Sequence, residues 1–211
     1  MSGLGCQCEA KFDGVSPEFR RALWLVILIN GIMFGIEIGA GAVAGSKALQ
    51  ADALDFLGDT ATYGVSLYVI GMSLRVRAGA ALIKGMSLAA MGAWVLGATV
   101  YQVIILGGPP QAPIMGAVGL LALAANLGSV LLLRRFKDGD ANVRSVWLCS
   151  RNDAIGNIAV MLAALGVWFT GTAWPDLIVA ALMAGLFLTS AVQIIRQALH
   201  ERYNRPIKGY N

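Results

Sequence analysis

The sequence predicts an all-α membrane protein, a six-transmembrane-helix bundle with both termini in the cytoplasm. Three observations lead there. Hydrophobic residues make up 57% of the 211-residue chain and charged residues only 13%, about half the charged share of an ordinary soluble domain. The chain divides into six apolar runs, each near the ~20 residues that carry a helix across a bilayer. The basic residues cluster at alternate connections between those runs.

In order, the spans are expected at 22–46, 48–74, 80–106, 111–133, 144–169 and 176–197. Residues 1–19 form a polar tail, and Lys11, Arg20 and Arg21 precede the first span. The second connection carries Arg75, Arg77 and Lys84, and the fourth carries Arg134, Arg135, Lys137 and Arg144. Arg196, Arg202, Arg205 and Lys208 close the chain, around a short tail at 201–211. The third connection, GGPPQAP, is uncharged, and the fifth, TGTAWP, has no charge before Asp176. With Arg151, an inside N-terminus leaves only Lys47, of 16 basic residues, on the far side. Because cytoplasmic loops retain Lys and Arg, both ends are placed inside. The net charge of +4 is thus a topology signal and implies no nucleic-acid partner.

No cleavable signal peptide is expected, since the first apolar run is too long for one. The six-span domain covers 20–200, and its surroundings are membrane lipid. Cys6 and Cys8 lie in the N-terminal tail and Cys149 near the fifth span, a distribution suited to a reducing compartment. The C-x-C pair reads either as part of an unstructured tail or as a carrier of soft metal.

Five of the twelve acidic residues fall inside spans: Glu37, Asp52, Asp55, Asp59 and Asp153. Each costs a few kcal/mol near the bilayer centre, so such residues face a bundle interior or a watery cavity and are functional by default. In ADALDFLGD, Asp55 and Asp59 stand four apart and stack on one helical face. In WLCSRNDAIGN, Cys149 and Asp153 repeat that spacing, with Asn157 one turn further. Two such pairs converging from two helices supply the four donors of a tetrahedral divalent-metal site. Arg151 lies on the opposite face by the 3.6-residue period.

The segments SKALQADALDFLGD and CSRNDAIGNIAV, in the second and fifth spans, resemble the cation diffusion facilitator family of metal transporters. NGIMFGIEIGAGAVAGS and PDLIVAALMAG extend the similarity over about residues 20–200. The resemblance implies that Asp55, Asp59 and Asp153 occupy the family's ligand positions. Cys149 stands where the family usually has His or Asp. It further implies homodimerisation and a cytoplasmic C-terminal domain. The sequence stops at Asn211 without a segment resembling that domain, and its single histidine, His200, leaves no histidine-rich loop. Dimerisation is then expected through the spans, where Gly31, Gly35, Gly39, Gly41 and Gly45 form small-residue patterns for close helix packing.

Around the four expected ligands lie residues with more than one open reading each. Glu37, with Asn30 two turns earlier on the same face, either bonds a neighbouring helix or relays protons or touches the ion. Asp52 either ligates the metal or lines an access path or bonds between helices. Tyr63, Asn126 and Asn157 either orient the carboxylates or cross-link helices.

The expected function is export of a divalent transition metal from the cytoplasm, by proton antiport, in a bacterial inner membrane. Metal binding needs deprotonated ligands and so displaces protons. Three carboxylates alone suit harder ions, and a thiolate shifts the preference to zinc and cadmium. No catalytic residue and no cofactor are expected; the metal is cargo. Two rival readings are a proton-coupled organic-cation exporter, and a metal sensor that transports nothing.

Overall fold

The computed structural model describes residues 16–69, 74–106, 108–136 and 141–203. Six long helices account for nearly all of them: α1 (Pro17–Ala44), α2 (Lys47–Val69), α3 (Leu74–Tyr101), α4 (Ala112–Leu133), α5 (Ala141–Thr170) and α6 (Trp174–Tyr203). A π-helical turn, Gln102–Leu106, continues α3, and a 3-10 turn, Arg134–Phe136, continues α4. No β-strand occurs among the described residues.

Several helices outrun their apolar runs. α1 begins at Pro17, because Ser16 Oγ accepts from Phe19 N–H at 3.2 Å and proline suits the first helical position. α3 begins at Leu74 rather than 80, so Arg75 and Arg77 lie on its first turn and Leu74 leaves the second span for the third. α6 continues past Ile195 through Arg196 and His200. Polar residues do not end a helix; only the loss of backbone partners does. Hydropathy therefore marks the membrane-embedded part of each helix and misses its aqueous ends.

Among the described residues, five helical stretches are long and apolar enough to cross a bilayer: Pro17–Ala44, Ala81–Ile105, Ala112–Phe136, Asp153–Thr170 and Trp174–His200. α2, with three aspartates, falls short by composition; it packs on α1, α3, α5 and α6. α1, α2, α4 and α5 form a ring, in which α1 touches α2 and α4, and α5 touches α4 and α2. α3 and α6 pack extensively on each other and flank this ring along α2 and α5.

The buried stripe of α1 reads Phe19, Leu23, Val26, Asn30, Met33, Glu37, Gly41 and Ala44, the 3–4 spacing of one helical face. Its outer face carries Trp24, Leu28, Ile32 and Val43, all exposed and apolar. Since lipid is as apolar as these side chains, close packing and polar contacts hold the helices together. Phe19, Leu23, Tyr63 and Leu133 form one core cluster, at the end of the bundle where α1 begins. Met33, Phe56 and Ala122 pack in the middle, and Leu49, Val95, Met115, Val160 and Phe187 join α2 to α3–α6.

Within one copy of the chain, only part of the α1 glycine pattern meets another helix. Among the α1 glycines only Gly41 lies at a tight approach, where a Cβ would meet Gln50 Cγ at 3.0 Å. Gly35 and Gly39 face outward with nothing within 4 Å, Gly31 has only Thr60 near 3.9 Å, and Gly45 caps α1. The closest approaches occur at Gly85 on α3 and at Gly166 on α5, where a Cβ would sit 2.8 Å from Pro175 Cβ, and Gly92 on α3 is as tight as Gly41. A Cβ at Gly85 would sit 2.7 Å from Ile195 Cγ1, and one at Gly92 3.0 Å from Leu188 Cγ. The small-residue spacing on α1 is real, but most of it lies on the face that no helix covers.

Candidate functional site

α2 is held at its first turn by a residue from a distant part of the chain. α1 ends in a Schellman turn, with Gly45 at φ 70° and Ser46 N–H bonded to Gly41 O at 3.0 Å. Ser46 then starts α2, its Oγ accepting from Leu49 N–H at 3.0 Å. Asp176, on the first turn of α6 and fully buried, accepts from Ser46 Oγ–H at 2.6 Å, Lys47 N–H at 2.8 Å and Ala48 N–H at 3.1 Å. A carboxylate on the free amides of a helix start is doubly favoured, by hydrogen bonding and by the helix dipole. Gln50 Nε2 donates to Gly41 O at 3.1 Å and Gln102 Nε2 donates to Gly45 O at 3.1 Å. The register of α2, and with it the height of its three aspartates, is thereby pinned. In the sequence Asp176 reads as an ordinary connection charge. Its only signal there was an acid beside proline at a helix start.

The inward faces of α1, α2, α4 and α5 carry the polar residues singled out from the sequence. Asp55 and Asp59 sit on successive turns of α2, both half-buried, close enough to repel one another. Asp153 of α5 lies within hydrogen-bonding reach of each of them, and Asp59 Oδ2 is left without a donor. Tyr63, 1% exposed, hydrogen-bonds Asp59 from one turn below, one of the two roles open to it. Asn126 Nδ2 donates to Asn157 Oδ1 at 3.5 Å and so joins α4 to α5. Arg151 points outward from α5, as its position on the helix requires. Lys84 of α3, counted in the sequence only as a loop charge, acts electrostatically on both Asp55 and Asp59.

The expected ligands meet in pairs. Among the described residues, no three His, Cys, Asp or Glu side chains converge into a group able to hold a metal ion. The fourth expected donor, the Cys149 side chain, lies outside the described residues, as do Cys6 and Cys8. Glu37 and Asp52 form a separate arrangement toward the Ala44–Lys47 end. They are 0% and 1% exposed and face each other across the α1–α2 contact. Neither Glu37 oxygen, nor Asp52 Oδ2, nor Asn30 Oδ1 finds a hydrogen-bond donor.

The model of the cation efflux transmembrane domain matches residues 23–201. The metal cation efflux system protein CzcD of Cupriavidus metallidurans is 27% identical over 191 residues, covering 83% of this chain and 59% of its own length. The zinc transporter ZitB of Escherichia coli is 28% identical over 194 residues, covering 86% and 62%. A cadmium, cobalt and zinc/H(+)-K(+) antiporter of Bacillus velezensis is 26% identical over 191 residues, covering 82% and 59%. The chain spans about three-fifths of the length of these relatives. It is a multi-pass integral membrane protein.

Proposed function

The chain belongs to the cation efflux family, and from that premise we propose that it exports zinc and cadmium from the bacterial cytoplasm in exchange for protons. One observation carries the reading: Asp153 of α5 reaches both Asp55 and Asp59 of α2, inside a ring of four helices. Buried carboxylates from two helices attract a divalent cation strongly, because low-dielectric walls leave their charge unscreened. With the Cys149 thiolate they make a four-donor set suited to zinc and cadmium. The relatives' names, which speak of zinc, cadmium and protons, support the same cargo and counter-ion.

Binding and release follow from charge. The empty set of acids carries protons, and an arriving cation displaces them as the ligands ionise. Lys84 places a tethered cation near the same carboxylates and lowers their repulsion while they are empty. Alternating access comes from one group of helices rocking against another around the ligands. The ring and the α3–α6 pair are the two groups that the packing offers. The basic connections orient the protein with both termini in the cytoplasm of the inner membrane. It acts as a homodimer and catalyses no covalent reaction.

The test is zinc flux into proteoliposomes with an imposed proton gradient. Wild type transports when the gradient opposes zinc movement and stops when it is collapsed. Asp55→Ala, Asp59→Ala and Asp153→Ala each abolish flux while keeping a monodisperse elution profile. Near-normal flux in any two of the three removes the ligand assignment, and flux indifferent to the gradient removes the proton exchange.

A further inference from the structure

Glu37 is the single charged residue between Arg21 and Lys47, and it is buried with both carboxyl oxygens lacking a donor. The helices packed on α1 are α2 and α4. α4 contributes no titratable residue between Ala112 and Leu133, and Asn126 bonds Asn157 instead. α2 contributes Asp52 directly opposite, with Asp55 one turn on. The nearest cation along α2, Lys47, turns its Nζ to Gln50 Oε1 at 3.0 Å. Gln50 in turn gives its amide to Gly41 O, so neither side chain serves the pair.

Two carboxylates in contact, sealed from water and without a donor, are among the costliest arrangements a protein interior can hold. The cost is removed if a single proton bridges them, leaving one net negative charge on two oxygens that need a hydrogen between them. A metal ion is a poorer occupant than a proton. Among the described residues only these two acids line the spot, which is short of the donor number a divalent cation needs.

We propose that Glu37 and Asp52 form a proton-carrying carboxyl pair, distinct from the metal ligands, which holds one counter-transported proton, beside any on the ligands themselves, while the metal site is empty. The inference rests on the reading of the chain as a proton-coupled exporter. The step is an ionisation: the O–H bond between the pair breaks, both groups become carboxylates, and the proton leaves on the side to which the cavity is open. A divalent ion arriving at Asp55, three residues along α2 from Asp52, supplies the positive potential that permits two carboxylates to coexist. Loss of the ion restores the need for the proton. This pair would lock proton occupancy to metal occupancy without sharing a ligand.

Infrared spectroscopy of the purified metal-free protein tests the pair directly, and zinc transport tests its role. Wild type shows a protonated-carboxyl C=O stretch that shifts in heavy water and diminishes on adding zinc. Glu37→Gln loses that component, keeps zinc affinity within about threefold by titration calorimetry, and loses about tenfold of its gradient-driven flux. Asp52→Asn is the second variant: it must move the same band, because an amide replaces the carboxylate that accepts the proton. Superimposable spectra of wild type and both variants overturn the proposal. So does loss of zinc binding in Glu37→Gln, which makes Glu37 a metal ligand, or undiminished proton-driven flux in either variant. A sodium gradient that drives flux where a proton gradient does not also overturns it. A wild-type protein with the band but with no zinc flux refutes the exporter reading and leaves the pair standing.

Discussion

Replacing Asp176 by alanine removes three hydrogen bonds at once and leaves two of the donors, on Ser46 and Ala48, in a place that water does not reach. Ser46 and Ala48 are both 0% exposed, and the bonds measure 2.6, 2.8 and 3.1 Å. The Ser46 hydroxyl can turn to another acceptor, but the amides of Lys47 and Ala48 cannot. A stranded buried amide costs about 1–3 kcal/mol and the half-buried one of Lys47 less, so the pair costs about 3 kcal/mol. Losing the cap falls within the same sum, since capping is those bonds. For a chain of this length, 1 kcal/mol shifts the melting temperature by about 2–4 °C, so Asp176→Ala should melt about 6–12 °C lower. Asp176→Asn keeps the oxygen facing Ser46 and Ala48 but turns an NH2 group toward the Lys47 amide, and should fall about halfway. Thr172→Ala, at an exposed position in the same connection, serves as control and should not move. The assay is thermal denaturation in one detergent, followed by loss of the monodisperse peak. If Asp176→Ala melts within about 2 °C of wild type, Asp176 does not hold α2 in place, and the account of how the aspartates are positioned fails.

Further outcomes follow from the helix contacts and the donor set. Gly92→Ala, whose Cβ would lie 3.0–3.2 Å from Leu188, Phe187 and the Ala184 carbonyl, should destabilise by about 1–3 kcal/mol through overpacking. Gly35→Ala, in open space, should be neutral or gain up to about 1 kcal/mol of helix propensity; equal melting of the two would refute the α3–α6 packing. Cys149→Asp should weaken cadmium transport more than manganese transport, and an unchanged ratio in competitive flux would make Cys149 a packing residue. Mass measurement in nanodiscs should find two copies per particle, and monomer alone at working concentration would refute the dimer.

The sequence was enough for the helices and for much of the polar register. A run of apolar residues in lipid has one way to satisfy its backbone, so six runs meant helices before any packing was known. The 3.6-residue period then put Asn30 with Glu37, and Asp55 with Asp59, on common faces, and turned Arg151 away. Those are properties of single helices, and single helices are legible in a sequence.

Which faces meet belongs to the tertiary structure, because contact between helices depends on pairs of residues far apart in the chain. α1 carries the glycine pattern, yet α3 and α6 make the closest approach, since a small residue draws helices together only where a partner lies opposite. Asn126 bonds Asn157 across 31 residues. Asp176 stands about 130 residues from the amides it caps, with nothing in its local sequence to tie it to them. Glu37 and Asp52 were two separate acids until α1 and α2 packed side by side and left them without a donor. The sequence by itself determined what each helix carries and on which side; only the folded bundle decided which charges must share an interior, because burial and electrostatic cost are properties of the space between helices.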